Sequence, residues 1–167
     1  MKKLKIILAA GLIACLLGIL AGCVSGTSTK NSSDINSSED QSQNLTIGST
    51  LSAKGLNITL QKVEDWNSDN MFMDPKDGFK YIRAYFVLEN TNSSSRYLGS
   101  YDFTCYADNA KADMSIFGDD TLDLGAEVSS GRILQGYIYY EVPVNAQSIE
   151  IEYDSDWWGN KAVFKVR

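Results

Sequence analysis

The chain of 167 residues is long enough for one domain and a terminal extension, and 44% of its residues are hydrophobic. Its formal net charge of −6, from 21 acidic and 15 basic residues, disfavours nucleic acid and other polyanions as partners. The sequence contains no histidine, which excludes His-based catalytic triads and removes the commonest zinc ligand.

A positively charged start and a short apolar run open the chain. Lys2, Lys3 and Lys5 precede the apolar segment 6–22, a pattern typical of a secretory signal peptide over residues 1–22. An uncleaved signal anchor is the alternative, since this segment has the minimum length for a membrane span. Under either interpretation the rest of the chain lies outside the cytoplasm.

The end of the apolar run, Leu20-Ala21-Gly22-Cys23, resembles the lipobox of bacterial lipoproteins. The resemblance implies cleavage before Cys23 and a diacylglycerol thioether on its sulfur, with fatty acyl chains such as palmitate. We therefore expect a protein that is anchored in the cell membrane through the lipid on Cys23 and faces away from the cytoplasm.

Residues 23–46 are rich in Ser, Asn, Thr and Asp, and we interpret them as a disordered tether because they have too little apolar surface to fold. Loss of residues 1–22 leaves 12 basic and 21 acidic residues, so the lipid rather than charge must hold the protein at the membrane. Cys105 is then the only cysteine of the domain, which must depend on a hydrophobic core instead of disulfides.

Residues 47–167 alternate between apolar and polar residues with a period of two, which predicts strands and not helices. In the strongest predicted strand, Ile82, Ala84, Phe86 and Leu88 share one face. A further short strand is expected in residues 111–116, and residues 119–127 have room for a single helical turn. About seven strands with one apolar face each must pack face to face, which predicts an all-β protein with an antiparallel β-sandwich.

Two blocks of sequence resemble a family of extracytoplasmic immunoglobulin-like domains of unknown function, found on bacterial lipoproteins and similar in fold to small secreted mycobacterial antigens. The first block is Phe-Lys-Tyr-Ile-Arg-Ala-Tyr-Phe-Val-Leu-Glu-Asn, residues 79–90. The second runs from Gly131 through Gly136 to Tyr140 and Pro143, with Tyr140 where the family usually has Phe. The resemblance implies an immunoglobulin-like β-sandwich and provides no catalytic residues.

Enzymatic chemistry finds little support in the sequence. Acidic residues cluster at Asp119, Asp120, Asp123 and Glu127, but their spacing is not that of a calcium-binding EF-hand. No Gly-x-Ser-x-Gly nucleophile motif occurs, and Cys105 has no histidine to activate it. We therefore predict a non-enzyme without cofactor or metal, and a wall-acting hydrolase that uses loop carboxylates is the alternative.

Aromatic side chains are the candidate binding residues. Two sets qualify, one on the strand faces opposite the core and one in a turn: Tyr81, Arg83, Tyr85, Tyr137 and Tyr139, and Trp157 and Trp158. The competing interpretation is that the tyrosines pack across strands and the tryptophans cap the core. The sequence therefore predicts a lipid-anchored binding or accessory module for an envelope protein or wall glycan, with a structural or stress-related lipoprotein as the other alternative.

Overall fold

The computed structural model describes residues 44–70, 73–154 and 161–167, which all lie in one compact unit, Glu39–Arg167. The regular secondary structure of the described residues is almost entirely β-structure, with twelve strands. In chain order these are β1 (Asn44–Thr46), β2 (Thr50–Ala53), β3 (Leu56–Trp66), β4 (Phe79–Asn90), β5 (Arg96–Leu98), β6 (Phe103–Ala107), β7 (Ala110–Lys111), β8 (Asp113–Ser115), β9 (Ala126–Val128), β10 (Ile133–Pro143), β11 (Ile149–Asp154) and β12 (Lys161–Lys165).

Two five-stranded sheets form the sandwich. The first has the strand order β2-β3-β4-β10-β8, and the second has the order β1-β12-β11-β6-β7. Strands β5 and β9 pair separately as a two-stranded ribbon. The pairs are antiparallel except for β1 with β12, which is parallel. The predicted all-β immunoglobulin-like sandwich is therefore confirmed.

The core lies between the two sheets, and the alternation in the sequence explains which residues enter it. The even-numbered apolar residues of β4 are buried, while its odd-numbered residues are only partly covered. Phe86 of the first sheet lies 4.3 Å from Phe103 and 5.6 Å from Phe164 of the second, measured between ring centroids. These three rings join the sheets across the centre of the core.

Two tight turns show how the local sequence sets the hairpins. Lys54 and Gly55 connect β2 to β3, and both have positive φ, at 48° and 73°. Asp108 and Asn109 connect β6 to β7 with φ values of 50° and 66°. Two consecutive residues of positive φ make the turn whose twist matches antiparallel strands, and Gly, Asn and Asp adopt that conformation most easily.

Several details differ from the sequence prediction. The described residues contain twelve strands and not about seven, because five strands of only two or three residues form in addition to the longer ones. Strand β1 lies within the last three residues of the predicted tether, and Leu45 is part of the core. Residues 111–116 contribute to β7 and β8 as expected.

The helical turn is also not where it was expected. Residues 119–127 form no helix, and a short 3-10 helix lies at Ser100–Asp102 instead. This helix contains Tyr101, whose side chain is exposed. None of the helical structure in residues 44–70, 73–154 and 161–167 is long and apolar enough to cross a bilayer.

Candidate functional site

The face of the first sheet that points away from the core, here called the outer face, brings the predicted tyrosines and arginine together. Strands β4 and β10 are neighbours in register, which places Tyr85 opposite Tyr137 and Arg83 opposite Tyr139. Tyr81 lies opposite Glu141 at the end of the same ladder. The two strands therefore form one continuous surface of aromatic and charged side chains.

A β-bulge in β3 adds further side chains to this surface. Leu60 pairs with Phe86 but Lys62 pairs with Tyr85, so Gln61 is an extra residue in the ladder. Because side chains alternate between faces, the extra residue turns Lys62, Glu64 and Trp66 from the core side to the outer face. Their positions were not predicted from the sequence. The available signal was the shift of the apolar positions from Leu60 to Val63, which breaks the even-numbered pattern.

Glu64 organises the cations of the outer face. Its Oε1 accepts hydrogen bonds from Arg83 Nε at 2.7 Å, from Lys62 Nζ at 3.2 Å and from the Tyr137 hydroxyl at 3.2 Å. Burial opposes ionisation of Glu64, but the bonds from Lys62 and Arg83 outweigh it and lower the pKa of this carboxyl. The Arg83 guanidinium also lies 4.3 Å from the centre of the Tyr137 ring. Arg83 therefore has partners within the domain and is not a free receptor for an anion.

Residues 117–122 cover part of the outer face. The Tyr139 hydroxyl donates to the carbonyl oxygen of Asp119 at 2.6 Å. The backbone of Tyr137 exchanges two bonds of 2.8 Å with this segment, accepting from the amide of Leu122 and donating to the carbonyl of Asp120. A Cβ at Gly118 would lie 2.4 Å from the Tyr139 ring, so only glycine permits this close cover.

This cover corrects part of the binding prediction. Tyr137 is 7% exposed and Tyr139 is 0% exposed, so neither ring can act as an exposed anchor. Both serve cross-strand packing, with Tyr137 at 4.8 Å from Tyr85 and Tyr139 at 4.8 Å from Trp66. Tyr81, Arg83 and Tyr85 stay half-buried, and their role in binding remains a prediction.

A groove lies beside these aromatic side chains, and it consists of two adjoining cavities. One has a volume of about 310 Å³ and the other about 370 Å³. Met73 and Phe117 line both cavities and so connect them. Tyr81 lines the first cavity and Trp66 the second, and the edge-to-face contact of these rings, with 5.9 Å between centroids, makes a continuous aromatic floor. The two cavities together are here called the groove.

Apolar side chains at the mouth of the groove are exposed. Phe117 has 62% of its surface exposed and its neighbour Ile116 has 53%. Both come directly after β8, and the Ser115 hydroxyl bonds to the backbone of Phe117, which fixes the start of the covering segment. An exposed Phe next to an aromatic cavity is a typical contact residue for a partner.

Carboxylates surround the groove. Asp69 and Asp119 line the second cavity, and Asp113 and Glu141 line the first. The latter two are held by Lys76, whose Nζ lies 2.8 Å from Asp113 Oδ2 and 2.9 Å from Glu141 Oε2. Glu141 Oε1 also accepts the backbone N–H of Lys76 at 2.7 Å, which attaches the β3–β4 connection to the outer face. The hydrogen bond from Lys76 Nζ lowers the pKa of the Asp113 carboxyl.

The acidic residues predicted to cluster do not assemble into a metal site in the part of the chain that the structure describes. No three Asp, Glu or Cys side chains there are placed to hold one ion. Asp119, Asp120 and Asp123 are exposed in the connection between β8 and β9, and Glu127 is exposed within β9. Cys105 is buried in the core, and burial raises the pKa of its thiol to about 12, so it is not a nucleophile at neutral pH.

Four sequence predictions fall wholly or mostly on residues outside those described. The signal peptide and Cys23 lie before Asn44, as does the tether except for its last three residues. Trp157 and Trp158, the second candidate binding pair, lie within residues 155–160. Their roles stay predictions from the sequence.

Comparison with known proteins gives one family and several similar folds. The family model described as a domain of unknown function (DUF4352) matches residues 45–163. The ycdA protein of Bacillus subtilis, provisionally described as a lipoprotein, has a TM-score of 0.59 at 16% identity over 70% of this chain. The match covers 38% of that protein, so the chain spans well under half of its length.

Two other solved structures are matched over nearly their whole length. The yjhA protein of Bacillus subtilis has a TM-score of 0.56 and 18% identity, with 74% of this chain and 99% of that chain covered. MPT63, a secreted protein from Mycobacterium tuberculosis, has a TM-score of 0.56 and 13% identity, with 73% and 97% covered. At such identities the similarity shows the shared fold. No curated protein matches the sequence.

Proposed function

The chain belongs to the DUF4352 family of domains of unknown function, and from this premise we propose that it is a non-catalytic binding module of the cell envelope. The module is carried on the outer side of the cytoplasmic membrane by a lipid on Cys23, and it binds an envelope component through the groove of the outer face. The secreted MPT63 and the lipoprotein description of ycdA, both of similar fold, support this location.

The observation that carries the proposal is the exposure of Phe117 beside an aromatic groove. A phenylalanine that is 62% exposed contributes little buried apolar surface to folding, and it lies beside the floor that Trp66 and Tyr81 form. The floor is rigid because Trp66 packs against both Tyr81 and Tyr139. A preorganised aromatic surface of this kind loses little conformational entropy when a partner binds.

Site-specific photo-crosslinking tests the binding surface. Phe117 is replaced by p-benzoylphenylalanine in the full chain, expressed in the native envelope, and the control carries the same group at Ile133. Ile133 is also apolar and 57% exposed, but it is not among the residues that line the groove. We expect discrete adducts from position 117 only. Equal labelling at both positions, or none, would favour a structural or stress-related lipoprotein without a dedicated ligand.

The lipid anchor is tested separately. Metabolic labelling with a radioactive fatty acid should mark the wild-type chain and not Cys23→Ala, because the lipid is attached to the Cys23 sulfur. Cys105→Ala is the matched control, since this thiol is buried in the core and should leave labelling unchanged. Labelling of Cys23→Ala at the wild-type level would overturn the proposed anchor.

A hydrolase remains the second candidate because one carboxylate pair meets its distance requirement. Asp113 and Glu141 share Lys76 Nζ, so their oxygens lie within about 6 Å of each other, as in retaining glycosidases. Lys76 nevertheless lies between them and lowers the pKa of Asp113, whereas a glycosidase needs one protonated carboxyl. The pair therefore supports a structural role in holding the β3–β4 connection.

Wall digestion distinguishes the two functions. The purified full chain should release no soluble fragments from peptidoglycan, and Asp113→Asn should behave in the same way. Fragment release that disappears in Asp113→Asn would establish the hydrolase and remove the non-catalytic proposal.

A further inference from the structure

Charge around the groove identifies the class of its ligand. The described residues that line the two cavities include four acids and no lysine or arginine. Two of the acids, Asp113 and Glu141, are compensated in part by Lys76. The other two, Asp69 and Asp119, are exposed, and neither side chain has a cationic partner within the described residues. The groove therefore has a net negative charge with its aromatic floor beneath it.

Resting on the proposed binding function, we infer that the groove binds a basic peptide segment of another protein, with a lysine or arginine side chain over the aromatic floor. The aromatic faces attract a cation through their ring quadrupole, and the rim carboxylates add direct Coulomb attraction. The two adjoining cavities, joined at Met73 and Phe117, provide space for two side chains of one extended segment.

The same sheet already shows this mode of contact inside the domain. Arg83 lies 4.3 Å and Lys62 lies 5.1 Å from the centre of the Tyr137 ring, while Glu64 bonds both cations. An aromatic ring of the outer face and a neighbouring carboxylate thus bind cations together, the ring through its face and the carboxylate through hydrogen bonds. The groove repeats this combination, with Trp66 and Asp69 in place of Tyr137 and Glu64, and without an internal cation among its lining residues.

A neutral glycan is less suited to this surface. Rings of sugars stack on tryptophan and their hydroxyls can donate to carboxylates, but a neutral glycan gains no charge–charge attraction from the unpaired carboxylates, and its affinity would depend little on salt. A cationic peptide gains from both features, and its affinity must fall as salt screens the rim carboxylates.

Titration of the full chain in an uncharged detergent tests the inference. The probe is a blocked Lys-Gly-Lys-Gly-Lys peptide, and the control peptide has glutamine in place of each lysine. We expect saturable binding of the lysine peptide that weakens with salt, and no binding of the glutamine peptide. The double variant Asp69→Asn/Asp119→Asn should bind the lysine peptide roughly tenfold more weakly, because two exposed charge pairs are lost.

The matched control variant is Asp123→Asn/Glu127→Gln. It removes the same charge from exposed residues that are not among those lining the groove, and its affinity should stay near wild type. Equal weakening in both double variants would reduce the effect to net charge and overturn the inference. Binding of a tetramer of N-acetylglucosamine with no binding of the lysine peptide would also overturn it, in favour of a glycan site.

The outcomes separate the two proposals. If the lysine peptide does not bind but position 117 still gives adducts in the envelope, the binding module stands and the basic ligand is wrong. If both experiments fail, both proposals are wrong.

Discussion

Asn90 ends β4 with a side chain that is completely buried, which is rare for an uncharged amide unless all its polar atoms have partners. Its Nδ2 donates to the carbonyls of Ser94 at 2.9 Å and Val128 at 2.8 Å, and its Oδ1 accepts from the amide of Asn92 at 3.0 Å. One side chain thus ties the end of β4, the following loop and β9 together. The alternation of β4 predicts that this position faces inward but says nothing about these partners.

Replacing Asn90 by alanine should therefore lower the free energy of unfolding by about 1–3 kcal/mol, because the buried carbonyl of Val128, the carbonyl of Ser94 and the amide of Asn92 lose their partner. Urea denaturation of the full chain, followed by far-UV circular dichroism, measures the change. Asn145→Ala is the control, since this residue is exposed in the turn after β10. A midpoint for Asn90→Ala that equals the control would show that these bonds contribute no net stability.

The Asp108 carboxylate accepts hydrogen bonds whose contribution to stability depends on pH. Its Oδ1 accepts from the backbone amides of Gln147 at 2.9 Å and Ser148 at 2.8 Å. The bond from Ser148 is the main cause of the lowered pKa of this carboxyl. A carboxyl whose pKa is lower in the folded state adds stability above its unfolded pKa, and that stability is lost as the pH falls through the folded value.

Asp108→Ala should consequently lower the melting temperature at neutral pH and flatten its decline between about pH 5 and pH 2, where Asp108 would otherwise become protonated. Melting curves across this range provide the measurement. Asp108→Asn keeps an acceptor oxygen without the charge, so it should lose less at neutral pH than alanine. If the melting temperature of Asp108→Ala falls with decreasing pH as steeply as that of wild type, Asp108 does not contribute to the acid sensitivity of the fold.

The bulge in β3 is the element that decides what the outer face contains. The bulge was not predicted, because an alternating pattern is recognised only over several residues. The apolar positions shift from even to odd numbers between Leu60 and Val63, and too few residues of β3 follow Val63 to show a new alternation. The faces of β4 and β10 were predicted correctly, since each keeps one phase over eleven or twelve residues. The burial of Tyr137 and Tyr139 was missed for another reason, because the covering segment is distant in sequence and periodicity describes only one strand at a time.

Deleting Gln61 tests the role of the bulge. Without Gln61, Leu60 is followed directly by Lys62, so regular alternation keeps Val63 toward the core and Lys62, Glu64 and Trp66 on the outer face in the same register with β4. The deletion variant should therefore keep its cooperative unfolding and the near-UV circular dichroism of its packed aromatic rings. Gln61→Ala keeps the residue count and should also fold with nearly wild-type stability, because Gln61 is exposed. Near-UV circular dichroism and thermal melts compare the two. Loss of cooperative unfolding in the deletion variant alone would show that the local bend of the bulge is itself needed for the fold.

At the scale of the whole domain, the sandwich was predictable because strands with one apolar face must bury that face against each other. The number of strands was not, since β1, β5, β7, β8 and β9 have only two or three residues each and show no alternation. The parallel pairing of β1 with β12 joins the two ends of the domain. No local pattern contains information about a contact between such distant segments, so β1 was not recognised as a strand from the sequence.

Phe86 measures how strongly the two sheets depend on each other. Its ring is 0% exposed and lies against Phe103 and Phe164, so truncation leaves a cavity at the point where the sheets meet. Phe86→Ala should therefore reduce the free energy of unfolding by about 3–5 kcal/mol. Phe79→Ala is the matched control, since Phe79 belongs to the same strand but is 37% exposed, and the free energy lost in this variant should be much smaller.

Urea denaturation of both variants, with and without a reductant, gives the comparison. The reductant should change neither curve, because Cys105 is a free thiol. If both phenylalanine variants unfold at the same urea concentration, the sheets are not held together through this contact, and the core must be centred elsewhere.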